Sequence, residues 1–274
     1  MGAEQLQLLY VPRPPPAPDE RLQSMSVSSL VQLSRCPKQF YWTVVRPLPR
    51  RPSAAARLGH DIHRWIEIRS VGQGRLDDPE EPVDLAPEES VELEPQENGE
   101  PAPAHERPAH AVPLEEKLQS TWQASRFSGM IPRFTEQDFV IALPYGLLVR
   151  GRIDAVYVHQ DGTWELVDYK TGREPDEADT VARLQLAIYS LAAQEIWKVD
   201  PGRLKLTYFY LASGRADPIP ATELTTTLAD LTAMFGQVQA GRFEPRPGVI
   251  CRSCDFLRFC PAGQEHVYGA TPTR

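Results

Sequence analysis

The chain has 274 residues, enough for one sizeable hydrophobic core or two small ones. Its 37 acidic and 29 basic residues give a net charge of −8, and it contains no run of eighteen apolar residues and no basic-then-apolar N-terminal signal. The composition therefore excludes a helical membrane span and predicts a soluble, cytoplasmic protein without a membrane partner, in which four cysteines are not expected to form disulfides.

Residues 1–25, with Pro12-Arg-Pro-Pro-Pro-Ala-Pro18, read as a Pro-rich arm or linker, and residues 26–274 as a single folded domain. Ser26 is suited to cap a helix carrying Leu30 and Leu33 on one face, which Cys36-Pro37 interrupts. Leu58 to Glu67 starts a second helix, on which His63 and Glu67, four residues apart, share a face. Residues 77–116 differ from the rest: fourteen acidic residues, one Arg and many prolines cannot sustain a packed core, so a disordered or weakly ordered insertion is expected. Outside it, 23 acidic and 28 basic residues remain, a balance near +5 that is compatible with a nucleic-acid partner although the whole chain is acidic. A helix around Thr121 to Arg126 follows, then a strand from Glu136 to Gly146.

Two segments rich in β-branched and aromatic residues come next, Gly151-Arg-Ile-Asp-Ala-Val156 and Trp164-Glu-Leu-Val-Asp-Tyr-Lys-Thr-Gly172, with turn residues His159-Gln-Asp-Gly162 between them. They read as an antiparallel pair. Side chains on a strand repeat every two residues, so Asp168 and Lys170 share a face, and Asp154 can reach the same patch from the neighbouring strand. Two facing carboxylates repel unless a divalent cation turns the repulsion into coordination. Thr180 to Gln194 has strong helical spacing, with Gln185 and Tyr189 one turn apart, and Leu204 to Leu211 alternates as a strand. A further helix is expected from Leu224 to Gln237. Residues 247–262 hold Cys251-x2-Cys254-x5-Cys260, which with Cys36 makes a four-thiolate metal site whose spacing admits zinc.

Taken in order, Gly59-x-x-x-His63, Gly151-Arg-Ile-Asp154, Val167-Asp-Tyr-Lys170 and Gln185-x-x-x-Tyr189, with the four cysteines, resemble the RecB/AddB-like branch of the PD-(D/E)XK nuclease superfamily. The resemblance implies an α/β, restriction-endonuclease-like core, a mixed central sheet flanked by helices. It implies a metal-dependent DNA nuclease, an exonuclease acting on single strands or ends in repair or recombination. Mg2+ or Mn2+ would be held by His63, Asp154, Asp168 and the backbone carbonyl of Tyr169, with Lys170 orienting the attacking water. Gln185 and Tyr189 would border the site and touch the substrate backbone, and Glu136 would be an outer-shell candidate. Cys36, Cys251, Cys254 and Cys260 would hold a 4Fe-4S cluster in preference to zinc, in a structural role. No phosphate-binding Gly-Lys-Thr loop occurs in the chain, so it reads either as an autonomous nuclease or as a subunit or module of a helicase-nuclease machine, a helicase subunit being the partner this branch suggests. The rival readings are a non-catalytic DNA-binding or scaffold subunit and an iron-sulfur redox sensor.

Overall fold

In the computed structural model the described residues are 23–49, 54–74, 113–172, 174 and 180–269. Most of the acidic span lies outside them, and so does nearly all of the Pro-rich arm. At the inner borders of both spans the structure is ordered: Ser24 and Met25 belong to a strand, and Leu114, Glu115 and Glu116 open a helix.

The central sheet has six strands: β1 (Ser24–Ser26), β2 (Phe134–Ala142), β3 (Leu148–Val158), β4 (Trp164–Lys170), β5 (Leu204–Tyr210) and β6 (Arg215–Pro220). The helices are α1 (Val27–Arg35), α2 (Pro37–Phe40), α3 (Ala54–Gly74), α4 (Leu114–Ala124), α5 (Thr180–Trp197), α6 (Leu228–Gln239) and α7 (Pro261–Tyr268). Strand order is β1-β3-β4-β5-β6, with β2 also on β3, and the sheet is mixed: β1 pairs with β3, and β4 with β5, in parallel, while the remaining pairs are antiparallel. The expected α/β architecture, a mixed sheet flanked by helices, is thus observed.

One face of the sheet packs against α1, α5 and α6, through Leu30, Leu33, Leu186, Ile188, Leu231 and Phe235 set on Leu166 and Leu206. On the other face lie α3 and α4, whose Ile62, Ile66, Leu118 and Trp122 cover Tyr157, Val167 and Tyr169. Trp65 and Trp122 meet edge to face at 5.7 Å where the two helices touch. Being covered on both faces, β4 is buried from Glu165 to Tyr169 and reads as an almost continuous apolar run.

Two strands escape the sequence reading for physical reasons. β1 is three residues long, too short for any period to show, and β6 contains Pro218 and Pro220, which an edge strand tolerates and a central strand does not. The Ser26 cap is present, its hydroxyl accepting the Ser29 N–H at 3.1 Å. α6 begins four residues later than expected, because Thr227 and Asp230 form a capping box there. Gly151 is required sterically: a Cβ at this position would stand 2.3 Å from the Phe139 ring and 2.7 Å from Val27.

At the start of β4, Glu165 is fully buried yet charged. Arg126 binds it through both terminal nitrogens at 2.9 and 2.5 Å, His159 Nε2 is 2.9 Å away, the Thr207 hydroxyl donates at 2.6 Å, and Lys205 Nζ stands at 3.3 Å. Burial pushes the carboxyl up, but the bonds from Arg126 and Thr207 outweigh it and hold the group at about 2, below its ordinary 4.5. A lowered carboxylate stabilises the fold above the unfolded value and loses that contribution as pH falls. Stability is therefore expected to drop by on the order of 3 kcal/mol between pH 4.5 and 2, followed as the thermal midpoint across that range. In Glu165→Gln the same interval should be much flatter; an unchanged slope would refute the assignment.

Candidate active site

The site lies where β3 and β4 part. β2 follows one edge of β3 from Leu148 to Val156, but the other edge is shared: β1 takes Leu148 to Arg150 and β4 takes Ala155 to Val158. Between them that edge has no strand partner. The next rung of the β3–β4 ladder would set Asp154 opposite Asp168, and it does not form. Instead the Asp154 carboxylate accepts the Tyr169 N–H through Oδ2 at 2.7 Å. A side chain thus replaces a backbone acceptor, satisfying the amide while letting the strands diverge.

On the β2 side, Glu136 occupies the register position opposite Asp154, between the pairs Thr135–Ala155 and Gln137–Ile153. Its φ of 44° is left-handed, a conformation that costs a non-glycine residue free energy. The strand pair therefore holds two carboxylates across from each other with a kink at one of them. His63 on α3 completes the group: Nδ1 lies 3.4 Å from Asp154 Oδ1 and 3.8 Å from Glu136 Oε1, and Nε2 lies 2.9 Å from the Tyr169 carbonyl. Gly59, one turn earlier, brings α3 close to β4, where a Cβ would meet the Thr171 hydroxyl at 3.2 Å. One ligand atom from each of His63, Glu136 and Asp154 lies within 4.8 Å of the others.

Burial alone would lower the His63 imidazole, but hydrogen bonds to Asp154 and Glu136, with the charges of Asp154 and Asp168, raise it to about 10. The rise reflects the negative charge that Asp154, Glu136 and Asp168 concentrate here, which a bound cation would offset. Oxygen and imidazole donors in this arrangement suit Mg2+ or Mn2+.

Asp168 and Lys170 stand beside this group on the face toward α5. Lys170 Nζ is 2.6 Å from Asp168 Oδ2 and donates to Gln185 Oε1 at 2.8 Å. Gln185 Nε2 in turn lies 2.7 Å from Asp168 Oδ1 and 2.8 Å from the Tyr189 hydroxyl. Asp168 is only 3 % exposed, and its Oδ2 has no hydrogen bond of normal geometry despite the close ammonium. Burial raises this carboxyl above its ordinary range, Asp154 adds to the rise, and Lys170 opposes it. Sequence reasoning missed Tyr208, which lies opposite Asp168 in the parallel register, donates to Gln185 Oε1 at 3.4 Å and sits under Lys170 Nζ, 4.9 Å from its ring centre. Its only sequence signal is its place in an alternating strand.

The four cysteines gather around a second location, one small cavity that Lys38, Trp42 and Arg246 also line. Backbone N–H groups point at three of the sulfurs: Arg246 to Cys36 at 3.5 Å, Gly248 to Cys251 at 3.4 Å and Gly263 to Cys260 at 3.4 Å. Burial raises the Cys254 thiol, and the other three thiols add to the rise. Among the described residues no three of these sulfurs come within 4.8 Å of one another.

A family model of the PD-(D/E)XK nuclease superfamily matches residues 24–261, from β1 to the last cysteine segment. The chain belongs to the PD-(D/E)XK nuclease superfamily. Its sheet and flanking helices are accordingly of the restriction-endonuclease-like type. Among solved structures, a Eubacterium rectale protein provisionally described as an exonuclease is similar in fold, with 12 % identity, a TM-score of 0.50 and coverage of 94 % of this chain and 93 % of that one. The protein SSO0001 matches at 16 % identity and a TM-score of 0.42, over 94 % of this chain and 92 % of its own. No curated protein matches the chain significantly.

For this nuclease-superfamily chain, Asp154→Asn and Glu136→Gln are each expected to weaken Mn2+ binding about tenfold or more in titration calorimetry. Asp138→Asn, which removes the exposed partner of Arg152 and no donor of the group, should leave it unchanged. Equal affinities in all four proteins would dismiss the donor set.

Proposed function

We propose that this chain is a Mg2+- or Mn2+-dependent deoxyribonuclease of the RecB/AddB-like branch, working as an exonuclease on single strands or DNA ends in repair or recombination. The observation that carries the reading is the meeting of Asp168, Lys170 and Gln185 within 2.8 Å contacts beside the His63–Glu136–Asp154 group.

The metal ligands would be His63, Asp154, Asp168 and the Tyr169 carbonyl, and the geometry adds Glu136 as a further donor. When bound, the cation supplies an acidified water and offsets charge at the phosphate. Lys170 donates a hydrogen bond to the water oxygen and so aims its lone pair at phosphorus. As that oxygen bonds to phosphorus it gives up a proton to bulk solvent, the bond to the bridging oxygen opposite breaks, and the leaving oxygen takes a proton from solvent. Gln185 fixes the Lys170 ammonium through its Oε1 and the Asp168 carboxylate through its Nε2. Burial and the Asp168 charge hold the Tyr189 phenol well above its usual range, so it stays a neutral donor toward Asp168 or a substrate phosphate. That Gly59-x-x-x-His63 and Gln185-x-x-x-Tyr189 both arrive at this site supports the branch assignment, in which a helicase subunit would deliver the strand.

End-labelled single- and double-stranded DNA is the test substrate, with Mg2+, Mn2+ or chelator. Metal-dependent release of short products is expected, falling by at least about a hundredfold in Asp168→Ala and Lys170→Ala. Intact protein that binds DNA but cuts neither substrate under any of these conditions would make this a non-catalytic binding subunit.

The cysteines are assigned to a structural 4Fe-4S cluster. Four thiolates are the ligand set such a cluster takes, and the backbone N–H groups aimed at three of the sulfurs suit sulfur anions. Anaerobically purified protein is expected to be brown and to contain about four irons per chain, with both properties lost in Cys254→Ser together with several degrees of thermal midpoint. Colourless protein holding one zinc would overturn the assignment.

A further inference from the structure

Three features remain outside the site. The Glu165 network is closed on itself, and the basic surface around the cysteine cavity belongs to the cluster reading. The third is a groove of about 650 Å³ lined by Gln185 and Tyr189 at one end, Ser28 and Gly151, and Arg150 and Arg152 at the other. It leaves the active site through the stretch of β3 that neither β1 nor β4 covers.

Beyond this opening the β2–β3 hairpin presents a face that no described helix covers. Val140 is 52 % exposed and Leu148 is 36 % exposed. Arg150 is exposed on the same face as Arg152, two residues along the strand and hence about 6.6 Å away. That spacing is close to the separation of successive phosphates in an extended single strand. Arg152 is held in place by Asp138 at 2.8 Å and Glu136 at 3.5 Å, so one guanidinium of the pair is fixed at the mouth of the site. At the hairpin tip Tyr145 is 92 % exposed, with a left-handed φ of 65° that holds an aromatic residue in a conformation it seldom adopts. From Leu148 to Asp154 the strand runs about 20 Å, the reach of three or four nucleotides.

We propose that this face is the track along which single-stranded nucleic acid lies beside the active site, with Arg150 and Arg152 holding successive phosphates and Tyr145 stacking on a base beyond them. The inference rests on the nuclease reading and deepens it by naming the substrate form and its path. Apolar Val140, opposite Arg150 on β2, and Leu148, two residues from Arg150 toward the tip, suit unpaired bases, whereas a duplex presents only phosphates to such a face. Arg150, Tyr145 and Leu148 lie outside the catalytic group, so the track contributes affinity and leaves the chemical step alone.

The full chain is titrated, with Ca2+ replacing the catalytic cation, against a fluorescent thymidine 20-mer, a thymidine trimer and a blunt 20-base-pair duplex. For the 20-mer, Arg150→Glu is expected to weaken binding at least tenfold and reduce the salt slope by about one, Tyr145→Ala to weaken it about fivefold or more, and Arg150→Lys to retain most of the affinity. Trimer binding should stay unchanged in Tyr145→Ala, because a trimer reaches the arginines but not the tip, and kcat measured with Mn2+ should stay unchanged in both Tyr145→Ala and Arg150→Glu. If the wild type binds the 20-mer and Arg150→Glu and Tyr145→Ala bind it equally well, the track is wrong while the nuclease reading stands. Equal losses on the duplex would overturn its single-strand character. A wild type that binds no nucleic acid would remove the underlying reading and the track with it.

Discussion

The structure turns on one substitution of partners, the Asp154 carboxylate taking the Tyr169 N–H that a β3 carbonyl would otherwise accept. An antiparallel pair left to itself would continue past Ala155 and Val167, and the two aspartates would meet across a closed ladder. By satisfying the amide with a side chain, the fold opens the ladder without leaving the Tyr169 N–H unpaired. Everything chemical is at that opening. His63 reaches the Tyr169 carbonyl there, Glu136 faces Asp154 from the other strand, and Lys170 ends β4 a residue later.

Electrostatics then binds the two sides of the opening together. On one side two carboxylates surround an imidazole, and on the other a buried carboxylate shares an ammonium with an amide. The first half is net negative and the second is a buried carboxylate–ammonium pair, and packing alone would not keep either in place. The rigidity comes from the layers behind them: α3 and α4 fix His63, while α1 and α5 fix Gln185 and Tyr189. Close approach is secured by small residues where they are needed, Gly59 against Thr171 and Gly151 under Phe139.

Much of this was legible in the sequence, because it is written in short-range periodicity. Alternation along Trp164 to Lys170 sets Asp168 and Lys170 on one face, and they meet at 2.6 Å. A four-residue spacing sets Gln185 beside Tyr189, and they meet at 2.8 Å. What was not legible depends on departures from periodicity. Nothing in Thr135-Glu-Gln137 announces a left-handed residue, so the position of Glu136 directly opposite Asp154 had no signal. Tyr208 acquires its contact with Lys170 from a parallel register set by the α5 crossover, a long-range fact. β1 and β6 escaped because one is too short for a pattern and the other is an edge strand that admits proline.

The cysteine cavity has a consequence for biosynthesis. Cys36 sits just after the first helix, but the backbone N–H that caps its sulfur belongs to Arg246, and the Arg246 guanidinium reaches back to the Ser34 carbonyl. At ordinary elongation rates the chain between Cys36 and Cys251 takes roughly 10–40 s to emerge. Throughout that interval the first thiol has left the ribosome without its companions. The oldest cysteine of the set is the one that waits longest for them, and it is the one most in need of a reducing surrounding while the protein is being made.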